Sequence, residues 1–469
     1  MALRGASVVT LLCAALLGLS VPAAHTEGVG GSFTSSDPLL NRIWSASVQT
    51  ADDMLVPGPL ATDWEGRPCA IALPAVIIDG IPRDGCPYVG DEAVIGRTLD
   101  ASTPNWAVQR SMLTWFAAAQ HSDGAIPASP LLGGSSVLFD YNAYWIQAVY
   151  NYVLYSGDVG LARQVWPNVV RLINGFYAAH TLPNGLLVND LGWSDYAYLR
   201  RHGDIVAYDN AQYVYALRQA VKLAAWLGGR PQAAAWTARA NRVAAAFTRA
   251  FWDPSAGAFG DTTVDHATHP QDGNAFAVLS GIATTAQTAS ALRYLVAHDW
   301  RDYGNTIADT NTWAGPDWGL NAVDRVYPFM SYFELRARFQ SGLDDSAFDL
   351  LRREWGYMVK YGPGRMWETI GPDGGPPADI HPSFDSGWSS GAAPALSEYV
   401  LGVAPASPGF TRFTVTPHPN DLTSARGAVP TPHGLIHVAW TRTGTRVSLT
   451  VRAPAGTIWA NAPRPKHAP

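Results

Sequence analysis

The sequence predicts a mainly α chain: an (α/α)6 barrel followed by a small C-terminal antiparallel β domain. Three observations carry this reading. From residue 32 to residue 401 apolar residues recur at helical spacing, in segments that come in pairs. About twelve such segments can be counted, as a closed double ring of six hairpins requires, with an open solenoid of helix pairs as the structural alternative. Beyond Val403 the pattern changes to short β-type runs between turn residues.

In chain order, residues 1–23 read as a secretory leader. Arg4 supplies the positive start, residues 8–19 the apolar stretch, and Val21-Pro22-Ala23 the small-residue cleavage site. The apolar stretch is too short to span a membrane, so the mature chain is expected to be secreted without stable membrane association. The barrel is expected over residues 30–403. An amphipathic segment opens at Pro38 and runs to about Met54, and a further one starts at Asp91 and reaches about Leu99. A third covers 106–120 and is closed by His121-Ser122-Asp123-Gly124. Paired segments follow at 143–155 with 160–180, 210–227 with 232–252, 274–282 with 286–297, and 328–340 with 345–360, before a last helix at 387–401. Pro405, Pro408 and Gly409 mark a linker, and the runs 413–415, 437–440 and 447–451 outline a sandwich-like β domain over 404–456. Residues 457–469 form a tail rich in Pro and Ala, expected to be disordered.

The bulk numbers narrow the function. The chain has 469 residues, 47% hydrophobic, and a formal net charge of -6 with no basic run, which leaves no footprint for nucleic acid. Eighteen tryptophans are many; most are expected to fill the core, and the rest offer the faces that stack on sugars. Cys13 leaves with the leader. Cys69 and Cys86 remain, and in an oxidising compartment they are expected to form a disulfide, two buried free thiols being the alternative. Neither zinc-ligand spacing nor a phosphate-cradling glycine loop is present, so no metal or cofactor is expected.

The chemistry concentrates in Asp79-Gly80-Ile81-Pro82-Arg83-Asp84-Gly85-Cys86-Pro87-Tyr88-Val89-Gly90-Asp91. Three carboxylates and a guanidinium follow directly on an apolar run, with Gly and Pro breaking any helix. Acids this close repel, so at least one is expected to hold its proton near neutral pH and act as a donor. Arg83 is placed to keep a second acid ionised or to bind sugar hydroxyls. Hydrolysis of a glycosidic bond needs an opposing carboxylate, and Glu368 in Gly364-Arg365-Met366-Trp367-Glu368-Thr369 is the best candidate. Tyr141-Asn142, Trp193 with Asp195, Asp209-Asn210, and Trp313 with Trp318 offer aromatic faces or hydrogen-bonding groups at other loops, each equally at home in a structural role. In Asp385-Ser386-Gly387-Trp388-Ser389-Ser390-Gly391 the serines are expected to cap the last helix.

The order of these elements resembles family-78 glycoside hydrolases, the α-L-rhamnosidases, a family of six-hairpin glycosidases. The central stretch is similar to the branch written D-G-x-K-R-D-R-x-x-W-x-G-D. Ser156-Gly157-Asp158, Gln271-Asp272-Gly273-Asn274, Trp367-Glu368, Leu401-Gly402-Val403 and Thr431-Pro432-His433-Gly434 match further along. The resemblance implies an inverting mechanism, with Asp84 as general acid and Glu368 as general base. It implies sugar contacts from Asp79, Arg83 and Asp91, joined by Tyr88, Tyr141, Asn142, Trp193, Asp195, Trp367 and Trp388. It also implies that His433 reaches into the pocket from the β domain. The sequence departs from the motif at Pro82, Gly85 and Tyr88, and at Ser386, where His is usual. The β domains that usually precede the barrel are missing.

The leading expectation is therefore a secreted inverting glycosidase that releases terminal α-L-rhamnose, or a sugar of similar shape, from glycosides or polysaccharides. A barrel that binds carbohydrate without cleaving it is the alternative that Gly85 and Tyr88 motivate. A polysaccharide lyase is a third, since helical barrels host that chemistry too.

Overall fold

A computed structural model describes residues 30–63, 65–131, 137–191, 195–197, 199, 201–309, 324–376 and 383–460. The chain enters through strand β1 (Ser32–Ser35) and passes into helix α1 (Pro38–Asp53). The Asp37 side chain caps α1 by accepting the Leu39 N–H at 2.8 Å, and Pro38 fits the first turn. Leu40, Ile43, Trp44, Ser47 and Ala51 fall on one face of α1, which is the face it buries.

Eleven further helices follow among the described residues. They are α2 (Glu92–Ala101), α3 (Trp106–Ala118), α4 (Phe139–Ser156) and α5 (Val159–Arg171, continuing through a π turn at Leu172–Phe176). Next come α6 (Ala207–Trp226), α7 (Arg230–Phe251), α8 (Gln271–Leu279), α9 (Thr285–His298) and α10 (Pro328–Gln340). The last two are α11 (Asp344–Leu350, with a π turn at Leu351–Trp355 and Gly356–Tyr361 beyond it) and α12 (Ala392–Ala395, running into Leu396–Val400). The even-numbered helices are buried nearly all round; every residue of α2 is buried. The odd-numbered ones are amphipathic, as α5 is with Leu161, Val165 and Val169 inward. The inner helices touch in sequence, α2–α4–α6–α8–α10–α12, and α12 returns to α2. That closure selects the (α/α)6 barrel over the open solenoid.

Three inner helices start about one turn earlier than hydrophobic periodicity alone places them, and the same residue explains each. Asn142, Asn210 and Asn274 each stand fourth in their helix. Each side-chain oxygen accepts a backbone N–H from the preceding loop (Ile126, Leu187, Phe259) at 2.7, 2.7 and 2.8 Å. Each side-chain amide donates to the carbonyl four residues back. Buried asparagines thus fasten three loops to three helix starts. Ser390, in contrast, does not cap a helix: its hydroxyl lies 2.8 Å from that of Thr98.

Short strands fix the motif. β2 (Leu55–Pro57) pairs with β3 (Ala75–Ile77), and β4 (Gly80–Ile81) pairs antiparallel with β5 (Asp385–Ser386), Gly80 opposite Ser386. The C-terminal domain contains β6 (Val403–Pro405), β7 (Arg412–Val415), β8 (Ser424–Thr431), β9 (Gly434–Thr443), β10 (Arg446–Arg452) and β11 (Ile458–Trp459). One sheet has the order β1-β8-β9-β10 and the other β6-β7-β11. Two expectations are corrected here. The stretch from residue 32, read as helical and assigned to the barrel, begins with a strand of the C-terminal sheet, because Phe33 and Ser35 alternate inward as sheet residues do. Residues 458–459, read as disordered, form β11 alongside β7. Trp440 of β9 is buried and donates to the Val400 carbonyl at 3.0 Å, joining the domain to the end of α12. The expected leader and residues 461–469 lie outside the described residues.

Candidate active site

The acidic stretch leaves β4 as a tight loop closed on itself. Asp84 has φ of 60°, in the left-handed region that Asp enters more readily than most residues. Its carbonyl thereby accepts the N–H groups of Asp79 and Gly80 at 3.2 and 3.3 Å. The loop rests on a Cys69–Cys86 disulfide. Gly85 lies against the segment at 61–69; a β-carbon there would stand 2.3 Å from the Thr62 carbonyl oxygen.

A cavity of about 90 Å³ opens above this loop. At roughly 30 Å³ per water it admits about three waters. Asp79, Arg83, Asp84, Tyr88, Asp91, Tyr141, Trp388 and Glu368 line it, so eight of the residues singled out from the sequence converge. Tyr196, Ala197, Arg325, Tyr327 and Thr369 complete the wall. None of these five was singled out as a contact, although Tyr196 and Ala197 follow Asp195, Thr369 follows Glu368 and Arg325 follows Asp324. Tyr327 offered a further hint, as the residue before Pro328 at an inner-helix start.

The electrostatics centre on Arg83. Its Nη2 lies 3.3 Å from Asp84 Oδ2 and also contacts Glu368 Oε1, so one guanidinium spans the gap between the two carboxylates. Glu368 Oε2 accepts the Ser383 N–H at 2.8 Å, and the Trp388 indole donates to the Glu368 carbonyl at 3.0 Å. Burial pushes the Asp84 carboxyl up, with Arg83 opposing. Burial pushes Asp79 well above the usual carboxylate range, reinforced by Asp91 and Asp84 and opposed by Arg83. Asp91 is raised in the same way by burial and then by Asp84, against the hydrogen bond from the Tyr141 hydroxyl at 3.3 Å. The site therefore combines acids whose protonated forms burial favours with a carboxylate paired to a cation. Gly90 lets Tyr141 lie flat on the chain, since a β-carbon there would meet the ring at 2.5 Å.

The other sequence candidates lie elsewhere. Asn142 is one of the loop-fastening asparagines and is fully buried. Asp195 accepts the N–H groups of Ala197 and Leu199 and pairs with Arg201 at 3.1 Å. Arg201 also binds Asp261 and Asp272, and Tyr196 donates to Asp272. This buried cluster backs the Tyr196 wall without lining the cavity. Trp367 does not line the cavity; it packs on Tyr357 and Phe384. His433 is exposed at the turn between β8 and β9. That turn packs through Pro432 against Gly409, which meets Gly157 at the far end of α4 from Tyr141. At 1.5 Å per residue the 18 residues of α4 put about 27 Å between the two ends, so the expected reach of His433 into the pocket is not seen. Trp193, Trp313 and Trp318 lie outside the described residues.

Among the described residues no group of three or more His, Cys, Asp or Glu is arranged to hold a metal ion, and no helix is long and apolar enough to cross a membrane. Residues 73–313 match the model of the bacterial alpha-L-rhamnosidase 6 hairpin glycosidase domain, and residues 402–459 that of the bacterial alpha-L-rhamnosidase C-terminal domain. An alpha-L-rhamnosidase of Streptomyces avermitilis is 27% identical over 164 residues, which is 32% of this chain and 15% of that protein. One from Alteromonas sp. is 30% identical over 131 residues, 24% of this chain and 13% of that protein. Among solved structures, the GH78 family rhamnosidase of Bacillus sp. GL1 superposes with a TM-score of 0.74 at 24% identity, over 92% of this chain and 42% of that one. The Streptomyces avermitilis alpha-L-rhamnosidase complexed with L-rhamnose superposes with a TM-score of 0.69 at 20% identity, over 92% and 38%. The chain thus spans less than half the length of each of these four proteins.

Proposed function

The chain belongs to the bacterial alpha-L-rhamnosidase family of six-hairpin glycosidases, and on that basis we propose that it is a secreted, inverting glycoside hydrolase for terminal α-L-rhamnose or a sugar of similar shape. The observation that carries this reading is the pair of carboxylates, Asp84 and Glu368, facing one another across Arg83 in one cavity.

Asp84 is the general acid. Burial favours its protonated form, against Arg83, and the proton passes to the glycosidic oxygen as the bond to the anomeric carbon breaks. Glu368 is the general base. Arg83 contacts one of its oxygens and the Ser383 N–H fixes the other; once Arg83 is drawn away, the freed oxygen takes a proton from the water that attacks the anomeric carbon. Inversion requires roughly 6.5–9.5 Å between the two carboxyls, with a water in the gap. A single Arg83 nitrogen touches both carboxylates and holds them closer than this, so on this reading sugar binding draws the guanidinium onto a substrate hydroxyl and widens the gap. Asp79 and Asp91, next to the Ser386 and Tyr141 hydroxyls, hold the sugar's own hydroxyls.

The test is release of nitrophenol from p-nitrophenyl α-L-rhamnoside. Asp84→Asn and Glu368→Gln are each expected to lower kcat by about 10²-fold or more, and NMR of the first product formed is expected to show the β anomer. Full activity in either variant removes that residue from its role. The Arg83 bridge would also suit a pocket that only binds sugar; L-rhamnose binding by a wild type that releases no product selects that reading.

A further inference from the structure

We propose that Ser383 is the joint between the two walls of the site, a positioning residue that sets where Asp84, Arg83 and Glu368 stand relative to one another. The inference rests on the reading of Asp84 and Glu368 as acid and base. Ser383 is fully buried, and its polar groups reach both walls. On the base side, its N–H donates to Glu368 Oε2 at 2.8 Å and its carbonyl accepts the Glu368 N–H at 2.8 Å. On the acid side, its hydroxyl donates to the Arg83 carbonyl at 2.8 Å and accepts the Arg83 N–H at 3.3 Å. The hydroxyl is the one side-chain group that Ser383 itself contributes to these contacts, and it makes both of the bonds to the Arg83 backbone.

Gly80 closes the joint from below. A β-carbon there would stand 2.6 Å from the Ser383 hydroxyl oxygen, 2.8 Å from its Cβ and 3.0 Å from the Arg83 carbonyl oxygen. The hydroxyl thus has no room to turn away and no slack against the loop. Since Arg83 touches both Asp84 and Glu368, a shift of the Arg83 backbone moves the cation off both carboxylates together.

Two variants of the full chain disturb the joint from opposite sides. Ser383→Ala deletes the hydroxyl and keeps the backbone bonds to Glu368; Gly80→Ala wedges the same contact apart. With p-nitrophenyl α-L-rhamnoside, each is expected to lower kcat by about 10- to 100-fold, as misplacement of catalytic groups by an ångström does, with KM changed by less than about threefold. The acidic limb of the pH–rate profile is expected to move to higher pH, because the base loses its cationic neighbour. Hydrogen–deuterium exchange is expected to quicken in both segments 79–91 and 366–370, with the Ser383→Ala thermal midpoint close to that of the wild type and that of Gly80→Ala lowered by overpacking. Unchanged exchange in either segment overturns the proposal. So does a loss of activity equal at every pH and accompanied by a collapsed thermal midpoint, which would assign Ser383 to stability alone. A wild type inactive on rhamnosides refutes the proposed function instead; the exchange measurement then decides the joint by itself.

Discussion

Gly85 occupies the place where the resembled motif carries a second arginine, and the fold shows why it cannot be one. Its Cα rests on the Thr62 carbonyl, and the neighbouring Cys69–Cys86 bridge presses the two segments together. Gly85→Arg is therefore expected to cost about 1–3 kcal/mol of stability by overpacking, seen as a lower urea or thermal midpoint. An unaltered midpoint with higher turnover would mean that the site has room for the side chain. The acids around Gly85 were legible in the sequence because charge following an apolar run stands out. Ser383, Tyr196 and Arg325 were not: a single serine, tyrosine or arginine on a distant loop has no periodicity to mark it. Asn142 was noticed for the right prominence and assigned the wrong task, since a buried asparagine fastening a loop and one binding a sugar look identical as letters. His433 failed for a related reason, because a matched motif does not say at which end of the barrel its turn lies.

The disulfide belongs to the scale of elements. Cys69 and Cys86 are 17 residues apart and enclose β3 and β4, which deliver the catalytic loop. Closing a loop of that length stabilises the fold by about 3 kcal/mol in the chain-entropy account. The Cys69→Ser/Cys86→Ser protein is expected to unfold at correspondingly lower denaturant and to lose rhamnoside turnover before it loses helical circular dichroism. Equal midpoints would deny the bridge a stabilising role. The helices themselves were legible through their pairing and their apolar faces. Their starts were displaced inward because Asp140, Asp209 and Asp272, which read as loop residues, are buried in the first turns of α4, α6 and α8. There the positive end of the helix favours an acid.

For the whole molecule, the count of helical segments favoured a closed ring with an open stack as the alternative, and the contact of α12 with α2 decides for the ring. The interior this ring encloses is rich in carboxyls. Burial raises Asp100, Asp209 and Asp261 to about 7 and Glu92 to about 8; burial and the adjacent Asp53 raise Asp385 to about 7. Between an unfolded value near 4 and these folded values, the folded chain holds protons that the unfolded chain has released. The stability they contribute is complete below about pH 4 and is lost as pH rises toward 8. His269, raised by Asp309 and Asp253, acts in the same direction. The thermal midpoint is thus expected to be highest near pH 5 and to fall steadily to pH 8.5, and a midpoint that climbs over that interval would contradict this. The strand that no periodicity revealed, β1, has a bearing on time. Ser32 is opposite Ala428 in the finished sheet. At a ribosomal pace of about 5–20 residues per second, β1 leaves the ribosome roughly 20–80 s before its partner β8 exists. Throughout that interval the strand waits for its partner, so the seam between barrel and sheet closes only after residues 424–431 have been made.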